Sequence, residues 1–297
     1  MSHRAMTFAA VPAFLLAASA AQARGWRHDH GVSMNGGGKD GITRCSQWEV
    51  EFDGRDAVIA EERLTIPVGQ ANPLVASPSE NGGITVIGSE GRDFEITACK
   101  AADPEDRGAL DRIHVSRGNG RLTVEGPNDA GWTAHLIIRA PKSASVSLEA
   151  RNGPISLSEF NGKAAITSEN GPVSLRRSSG DIEVRTTNGP ISLTGGSGKI
   201  RLDADNGPLS VRLVDGAWEG AGLEGRTQNG PVHLDIARNY ASGVLVATAG
   251  HSPVHCGADA CEHARRNWDD DGKTIAFGPE NAVVRLSTEN GPVSISQ

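Results

Sequence analysis

The sequence predicts an all-β protein folded as a parallel β-solenoid, a β-helix of short stacked coils, and three observations lead to this fold class. Glycine and proline are abundant, with 37 and 15 among 297 residues, which argues against a mostly helical chain. The tripeptide Asn-Gly-Pro recurs at even intervals. Apolar and polar residues alternate after each tripeptide, as they do on a strand with one buried face.

The Asn-Gly-Pro tripeptide marks one turn of an 18-residue repeat. The first four copies begin at Asn152, Asn170, Asn188 and Asn206, and two more begin at Asn229 and Asn290 after longer gaps. Each repeat holds two short strands separated by glycine turns, and strands this short cannot bury their apolar face alone. Stacking the repeats buries that face, so we predict ladders of equivalent residues about 4.8 Å apart. The predicted turn residues are Asn152, Gly153, Asn170, Gly171, Asn188, Gly189, Asn206, Gly207, Asn229, Gly230, Asn290 and Gly291.

The chemistry of these turns agrees with stacked coils. Asn-Gly accepts a positive φ at little cost, and the following proline fits the first residue of a strand. Equivalent asparagine side chains are expected to form a hydrogen-bonded ladder along the stack. A meander of tight Asn-Gly hairpins is the alternative, but the strict identity of the repeat period favours the solenoid.

The first 23 residues have the pattern of a secretory signal peptide. A basic start at His3 and Arg4 precedes an apolar run from Phe8 to Ala18, and Ala21-Gln22-Ala23 provides a cleavage site. The apolar run is too short for a membrane-spanning helix, and no later segment reaches about 18 apolar residues. We therefore expect export to the periplasm or the cell surface without a membrane span. A retained N-terminal anchor helix is the alternative.

The repeat pattern divides the rest of the chain into three segments. Residues 24–44, with three consecutive glycines, are expected to form a flexible lead-in. Residues 45–148 carry looser copies of the repeat and are expected to form irregular coils of the solenoid. Residues 149–297 form its regular part, which is interrupted by an insertion over 238–280. The insertion is expected to cap the last coils, because the open end of a stack needs a cover.

Four cysteines, Cys45, Cys99, Cys256 and Cys261, follow the predicted signal peptide. An exported chain meets an oxidising environment, so two disulfides are expected. Four cysteines allow three pairings. We favour Cys45 with Cys99 and Cys256 with Cys261, because the first pair flanks one segment and the second lies in one loop.

The repeat units resemble a known family. A succession of Asn-Gly-[Pro/Gly]-[Ile/Val]-x-[Leu/Val] units, with an intervening Gly-x-[Ile/Ala]-x-[Val/Ile] and a signal peptide in front, is similar to the bacterial putative-adhesin family of β-strand-repeat proteins, a domain family of unknown function. The resemblance covers about residues 45–297. It implies a β-helical fold and an exported location, and it brings no catalytic residues. The cysteines and the insertion are not part of the repeat pattern.

Composition and motifs bear on the class of function. A net charge of −7 and only 4% aromatic residues argue against a nucleic-acid partner. No cofactor is predicted, since the glycines precede strands and match no phosphate-binding fingerprint. Glu169 and Asp205 share the outward position before the asparagine, two coils or about 9.6 Å apart. That spacing permits an inverting pair, so a polysaccharide-active enzyme, a lyase or a glycoside hydrolase, is an alternative. Scattered surface acids are more often merely solvated, and we expect no catalysis.

The insertion also contains residue types that bind zinc. They are His251, His255, Cys256, Cys261 and His263. The Cys-x4-Cys spacing is looser than that of common zinc sites. A disulfide would remove both thiolates in an oxidising compartment, so we predict no metal site.

A row of serines is the most suggestive surface feature. Ser156, Ser174, Ser192 and Ser210 occupy one outward column, which His233 and Ser294 continue. Evenly spaced hydroxyls could meet a repetitive polymer, since each donates and accepts hydrogen bonds. Small polar residues also suit a solvated face with no ligand. Our leading hypothesis is an exported, non-catalytic binding or structural protein of the cell envelope, with an envelope polysaccharide or a surface protein as partner. A scaffold with protein partners only is a further alternative.

Overall fold

The computed structural model describes residues 32–36, 41–118, 120–249 and 252–297. The predicted signal peptide, residues 1–23, lies outside the described residues, as do 24–31 and 37–40 of the predicted lead-in. Within that lead-in, residues 32–36 form a strand, because they pair antiparallel with a strand at residues 48–52. The predicted lead-in therefore contains a β-strand.

The fold is all-β, as predicted. The strands are β1 (Val32–Gly36), β2 (Trp48–Phe52), β3 (Arg55–Asp56), β4 (Val58–Pro67), β5 (Leu74–Ser77), β6 (Gly83–Ser89), β7 (Asp93–Ala102), β8 (His114–Gly118), β9 (Arg121–Glu125), β10 (Trp132–Pro141), β11 (Ser145–Ala150), β12 (Ile155–Ser158), β13 (Lys163–Ser168), β14 (Val173–Ser178), β15 (Asp181–Thr186), β16 (Ile191–Gly196), β17 (Lys199–Ala204), β18 (Leu209–Leu213), β19 (Gly222–Thr227), β20 (Val232–Ile236), β21 (Gly243–Ala249), β22 (Val254–Cys256), β23 (Arg265–Trp268), β24 (Gly272–Phe277), β25 (Ala282–Thr288) and β26 (Val293–Ser296). Short 3₁₀ helices occur at Cys45–Gln47, Val68–Gln70, Pro104–Arg112 and Asp259–His263.

Two long sheets contain most of these strands. The 11-stranded sheet has the order β22-β26-β20-β18-β16-β14-β12-β6-β10-β7-β4, and the 12-stranded sheet has the order β23-β24-β21-β25-β19-β17-β15-β13-β11-β5-β9-β8. From β11 to β22 the chain alternates between the two sheets, so one strand from each sheet makes a layer. Among the described residues neither sheet closes on itself.

Neighbouring strands of the regular part pair in parallel with the register that the repeat predicts. Ile155 lies beside Val173, and Val173 beside Ile191, an offset of one repeat at each step. Hairpin strands pair antiparallel, so the hairpin alternative is wrong for these turns.

The core lies between the two long sheets. Inward side chains alternate with outward ones, as in the buried–exposed pattern of β15 and β17. Isoleucine, leucine and valine from successive layers form one continuous buried cluster. Each fully buried aliphatic side chain stabilises the fold by roughly 1.5–3 kcal/mol. The apolar residues that alternate with polar ones in the sequence therefore form the core that holds the two sheets together.

The Asn-Gly-Pro turns stack into a column, with a different role for glycine than the sequence predicts. The positive-φ glycines of the described chain lie at other positions, such as Gly180 and Gly198 in the second turn of the repeat. In the Asn-Gly-Pro turn, a Cβ on Gly171 would lie 2.1 Å from the carbonyl oxygen of Gly153 in the neighbouring layer. Glycine is required here because backbones approach closely.

The asparagines form the expected ladder. Each side-chain Nδ2 donates to the Oδ1 of the asparagine in the preceding layer, at 2.8–3.1 Å. The ladder contains Asn81, Asn152, Asn170, Asn188, Asn206, Asn229 and Asn290. Asn81 belongs to the looser repeats, so the ladder begins before the regular part.

The longer unit between Asn206 and Asn229 holds extra residues between β18 and β19. Trp218 in this loop is buried, and its Nε1 donates to the carbonyl oxygen of Gly198 at 3.1 Å. Gly220 stacks on Gly198 in the second turn of the repeat. A constant 18-residue period would place Gly216 at this position instead. The extra residues therefore form a surface loop, and the register resumes after it.

The N-terminal part combines parallel and antiparallel pairing. Strands β5 and β6 form a layer that pairs in parallel with β11 and β12 on one side and with β9 and β10 on the other. Strands β7 and β4 continue the 11-stranded sheet antiparallel. The small sheet β1-β2-β3 contributes Trp48, Val50 and Phe52 to a second apolar cluster with Cys99 and Ile137. It thus covers one end of the outer face of the 11-stranded sheet.

Both disulfides have the favoured pairing, Cys45 with Cys99 and Cys256 with Cys261. The first links the segment before β2 to β7 and fastens the small sheet. The second closes the short loop after β22.

The insertion over 238–280 lies at one end of both long sheets. Strand β21 pairs with β25, β22 pairs with β26, and the hairpin β23-β24 continues the 12-stranded sheet. The final strands β25 and β26 lie between the insertion and the layer of β19 and β20. The end of the chain therefore returns into the stack beneath the insertion.

Candidate functional site

The predicted serines share one row on the outer face of the 11-stranded sheet. Ser156, Ser174, Ser192 and Ser210 lie side by side in consecutive parallel strands. The parallel register continues this column through His233 and Ser294. We call these six residues the serine row. Its members are about 4.8 Å apart, the spacing of neighbouring strands.

One end of the serine row is covered, and the rest is open. A Cβ placed on Gly41 would lie 2.7 Å from Ser156 Oγ, so the chain before β2 packs directly on this serine. Ser192, Ser210 and Ser294 line a shallow depression of about 350 Å³. The accessible part of the row therefore runs from Ser174 to Ser294.

The serine hydroxyls are available to a ligand. Within the described chain, the side chains of Ser174, Ser192 and Ser210 form no hydrogen bond with another residue, although all three are half-buried. Beside them, Arg212 Nε donates to Asp235 Oδ2 at 2.7 Å in the same depression. The charges of this pair offset each other, so the residues that line the depression combine hydroxyl groups with almost no net charge.

The outer face of the 12-stranded sheet is chemically different. Charged residues alternate there and pair between strands, as in Arg201 with Glu224 at 2.8 Å and Lys199 with Asp181 at 3.7 Å. Exposed pairs of this kind contribute about 0–1 kcal/mol each. Their hydrogen-bonding groups are already paired, whereas Ser174, Ser192 and Ser210 on the 11-stranded sheet form no side-chain hydrogen bond within the described chain.

The two acids considered for catalysis lie on exposed turns. Glu169 Oε2 accepts from Arg151 Nε at 3.1 Å, and its side chain is 57% exposed. Asp205 is exposed in its own turn two layers away. A general acid for glycoside hydrolysis works from a carboxyl in a buried, apolar environment. Both of these side chains are exposed.

The cysteine and histidine residues of the insertion are not gathered around a metal site in the described chain. Cys256 and Cys261 are joined to each other, which removes both thiolates. His255 lies beside Ser294 at the edge of the 11-stranded sheet, and His251 lies outside the described residues. Among the described residues there is no group of three or more histidine, cysteine or acidic side chains that could hold an ion.

No protein-family model and no curated protein matches the chain. Among solved structures, the chain is similar to a putative cell adhesion protein from Clostridium sporogenes, at 9% identity and a TM-score of 0.32, over 81% of this chain and 100% of that chain. It is also similar to a putative adhesin from Bacteroides fragilis, at 10% identity and a TM-score of 0.31, over 80% of this chain and 96% of that chain. A putative adhesin from Parabacteroides merdae has 13% identity and a TM-score of 0.29, over 80% of this chain and 95% of that chain.

A buried histidine lies under the small sheet and is not signalled by the sequence. His135 Nε2 is 2.9 Å from Thr85 Oγ1, and the imidazole centroid is 5.9 Å from a ring centroid of Trp48. Burial lowers the pKa of His135 to about 3, so the ring is neutral at neutral pH. His135 lies in the apolar run of β10, on the outer face of the sheet. It is buried there because the small sheet β1-β2-β3 packs over this part of β10.

The described residues include no helix that is both long enough and apolar enough to cross a membrane.

Proposed function

We propose that the protein is an exported, non-catalytic β-solenoid that binds a repetitive polymer of the cell envelope along the open part of the serine row. The solenoid is supported by the alternation of the chain between two parallel sheets with a constant offset of one repeat. Export is supported by the pattern of residues 1–23 and by the two disulfides.

One observation carries the binding proposal. Unpaired hydroxyls of Ser174, Ser192 and Ser210 lie in register about 4.8 Å apart, whereas the opposite face is occupied by ion pairs. A glycan is a chain of hydroxyl groups that donate and accept hydrogen bonds, and each serine can do both. The even spacing lets one polymer contact several layers at once, and successive contacts on a single chain add avidity.

The test is retention of residues 24–297 on peptidoglycan, lipopolysaccharide and exopolysaccharides, with released fragments measured by mass spectrometry. The variant Ser174→Lys with Ser192→Lys removes two hydroxyls and places two long side chains on the row. We expect at least tenfold weaker retention, since each hydrogen bond contributes about 0.5–1.5 kcal/mol and the lysines also obstruct the face.

A matched control is available on the opposite sheet. Ser147→Lys with Ala165→Lys adds the same charge to adjacent outward positions of β11 and β13. We expect this variant to bind like the wild type, and both variants to keep the wild-type circular dichroism and melting temperature. Equal retention of the two variants would refute a role for the serine row. Released fragments would refute the non-catalytic proposal, and crosslinked proteins without any glycan retention would favour a scaffold.

A further inference from the structure

A cleft next to the first disulfide is lined by three arginines. Its volume is about 640 Å³, and Arg44, Arg63 and Arg139 line it together with Glu61 and Glu95. We call it the arginine cleft. Its volume falls in the range of about 300–1,000 Å³ that is typical of small-molecule sites. It lies on the outer face of the 11-stranded sheet, beyond the covered end of the serine row.

Three neighbouring strands and one turn position the lining residues. Arg63 on β4 and Ile137 on β10 both lie beside Thr97 on β7, and Arg139 lies beside Glu95 in the next outward position. Arg44 immediately precedes the 3₁₀ helix Cys45–Gln47. The disulfide from Cys45 to Cys99 ties this turn to β7 and so holds Arg44 at the cleft.

The cleft carries excess positive charge on a chain that is acidic as a whole. Its three arginines exceed its two glutamates by one, whereas the chain has a net charge of −7. Arg63 is paired with Glu61 at 2.7 Å. Arg44 and Arg139 form no ion pair and no side-chain hydrogen bond within the described chain. Two guanidinium groups of the cleft thus form no ion pair within the described chain, although Glu95 lies beside Arg139, and each matches the geometry of a carboxylate.

The remaining lining groups suit a sugar. Thr65 and Thr97 contribute hydroxyls, and Glu95 contributes acceptor oxygens, while Ile137 provides an apolar surface. Hydroxyls and carboxylates recognise the alcohol groups of a ring, and an apolar surface packs against its carbon face. A simple inorganic anion would need only the arginines.

We propose that the arginine cleft binds an acidic sugar residue, with its carboxylate held by Arg44 and Arg139 and its hydroxyls by Thr65 and Glu95. This site is separate from the serine row and does not require the proposed polymer binding. The outer face of the 11-stranded sheet would then have two binding sites. The arginine cleft would recognise a negative charge, and the serine row would recognise hydroxyl groups.

The test is calorimetric titration of residues 24–297 with α-1,4-linked trigalacturonate, and with a neutral galactose trisaccharide of the same length. We expect binding of the acidic sugar only, and weaker binding as salt is raised, because screening reduces charge attraction. Arg139→Gln and Arg44→Gln are each expected to weaken binding at least tenfold. Arg185→Gln, an exposed arginine paired with Glu183 on the opposite sheet, is the matched control and is expected to bind like the wild type.

The same titration separates the two proposals. The variant Ser174→Lys with Ser192→Lys is expected to keep full affinity for trigalacturonate even where it loses retention on polymers. Equal affinity for the neutral sugar would refute the role of the carboxylate, and inorganic sulfate binding as tightly as trigalacturonate would refute the role of the sugar. Wild-type affinity of Arg139→Gln would refute the assignment to this cleft.

Discussion

Replacing Gly189 with alanine tests whether close backbone approach explains the glycine of every Asn-Gly-Pro turn. A Cβ at Gly189 would lie 2.3 Å from the carbonyl oxygen of Gly171 in the neighbouring layer, and 3.2 Å from Thr186 Oγ1. Real Cβ atoms essentially never approach another atom within 3.0 Å, so the two layers must separate by several tenths of an ångström at this turn. The obstructing atom belongs to the backbone and cannot rotate away.

The cost follows from the rigidity of the column. Forcing an extra methyl group into a well-packed site costs typically about 1–3 kcal/mol. Part of that cost is offset, because alanine reduces the entropy of the unfolded chain by about 0.4–1 kcal/mol relative to glycine. We expect Gly189→Ala to lower the free energy of unfolding by about 1 kcal/mol, which corresponds to a fall in melting temperature of roughly 2 °C for a chain of this size.

The assay is thermal and urea unfolding followed by circular dichroism, with Gly69→Ala as the matched control. A Cβ on Gly69 has no atom within 4 Å, so only the effect on the unfolded chain remains and a slight stabilisation is expected. If both variants unfold at or above the wild-type temperature, close approach does not explain the regular spacing of glycine in the turn column.

Two further predictions concern the asparagine ladder and the buried histidine. Asn188→Ala removes two amide hydrogen bonds and is expected to lower the free energy of unfolding in urea by about 1–2 kcal/mol. Asn290→Ala removes one hydrogen bond within the described ladder, and its cost is expected to be about half as large. Equal costs would show that the hydrogen bonds of the ladder do not contribute additively. Because burial lowers the pKa of His135 to about 3, the unfolded chain binds one more proton between about pH 6.5 and pH 3, and stability falls as the pH is lowered through this window. The expected loss is about 2 kcal/mol between pH 7 and pH 5; His135→Gln should remove it and the exposed His114→Gln should not, so an unchanged pH dependence in His135→Gln would refute this origin.

The sequence is most informative where contacts repeat. Because the repeat has one fixed length, the position of Ser174 relative to Asn170 fixes its position relative to Ser156 and Ser192 once the strands pair in parallel. The alternation of apolar residues, the shared row of serines and the asparagine ladder all follow from this one periodicity. The candidate row could therefore be predicted without coordinates.

Features that depend on contacts between unlike segments could not be predicted in this way. No period relates the segment before β2 to the repeats, so the sequence gives no sign that this segment packs on Ser156 and Thr85 at Gly41. The arginine cleft has the same origin, since Arg44 and Arg139 are far apart in the chain and line one cleft where the Cys45–Cys99 link ties the turn at Arg44 to β7. The sequence predicts positive φ for the turn glycines because positive φ is a local property, whereas the close approach between layers that requires glycine depends on the neighbouring turn.

The ends of the two long sheets explain why the irregular segments are necessary. A stack of identical parallel layers would end in flat edges of unpaired backbone groups, which readily pair with another chain. Here β4, β8 and β23 are edge strands attached through antiparallel pairs, and the remaining edge, β22, has three residues. Strand β4 carries Glu61, Glu62 and Arg63 in succession, and charges on an edge oppose pairing.

The last regular layer, β25 and β26, lies inside the stack rather than at its end, so a second copy of the chain cannot pair with this layer in the register of the repeat. The segments that break the repeat thus limit its length and end both long sheets in strands that are short or carry charge.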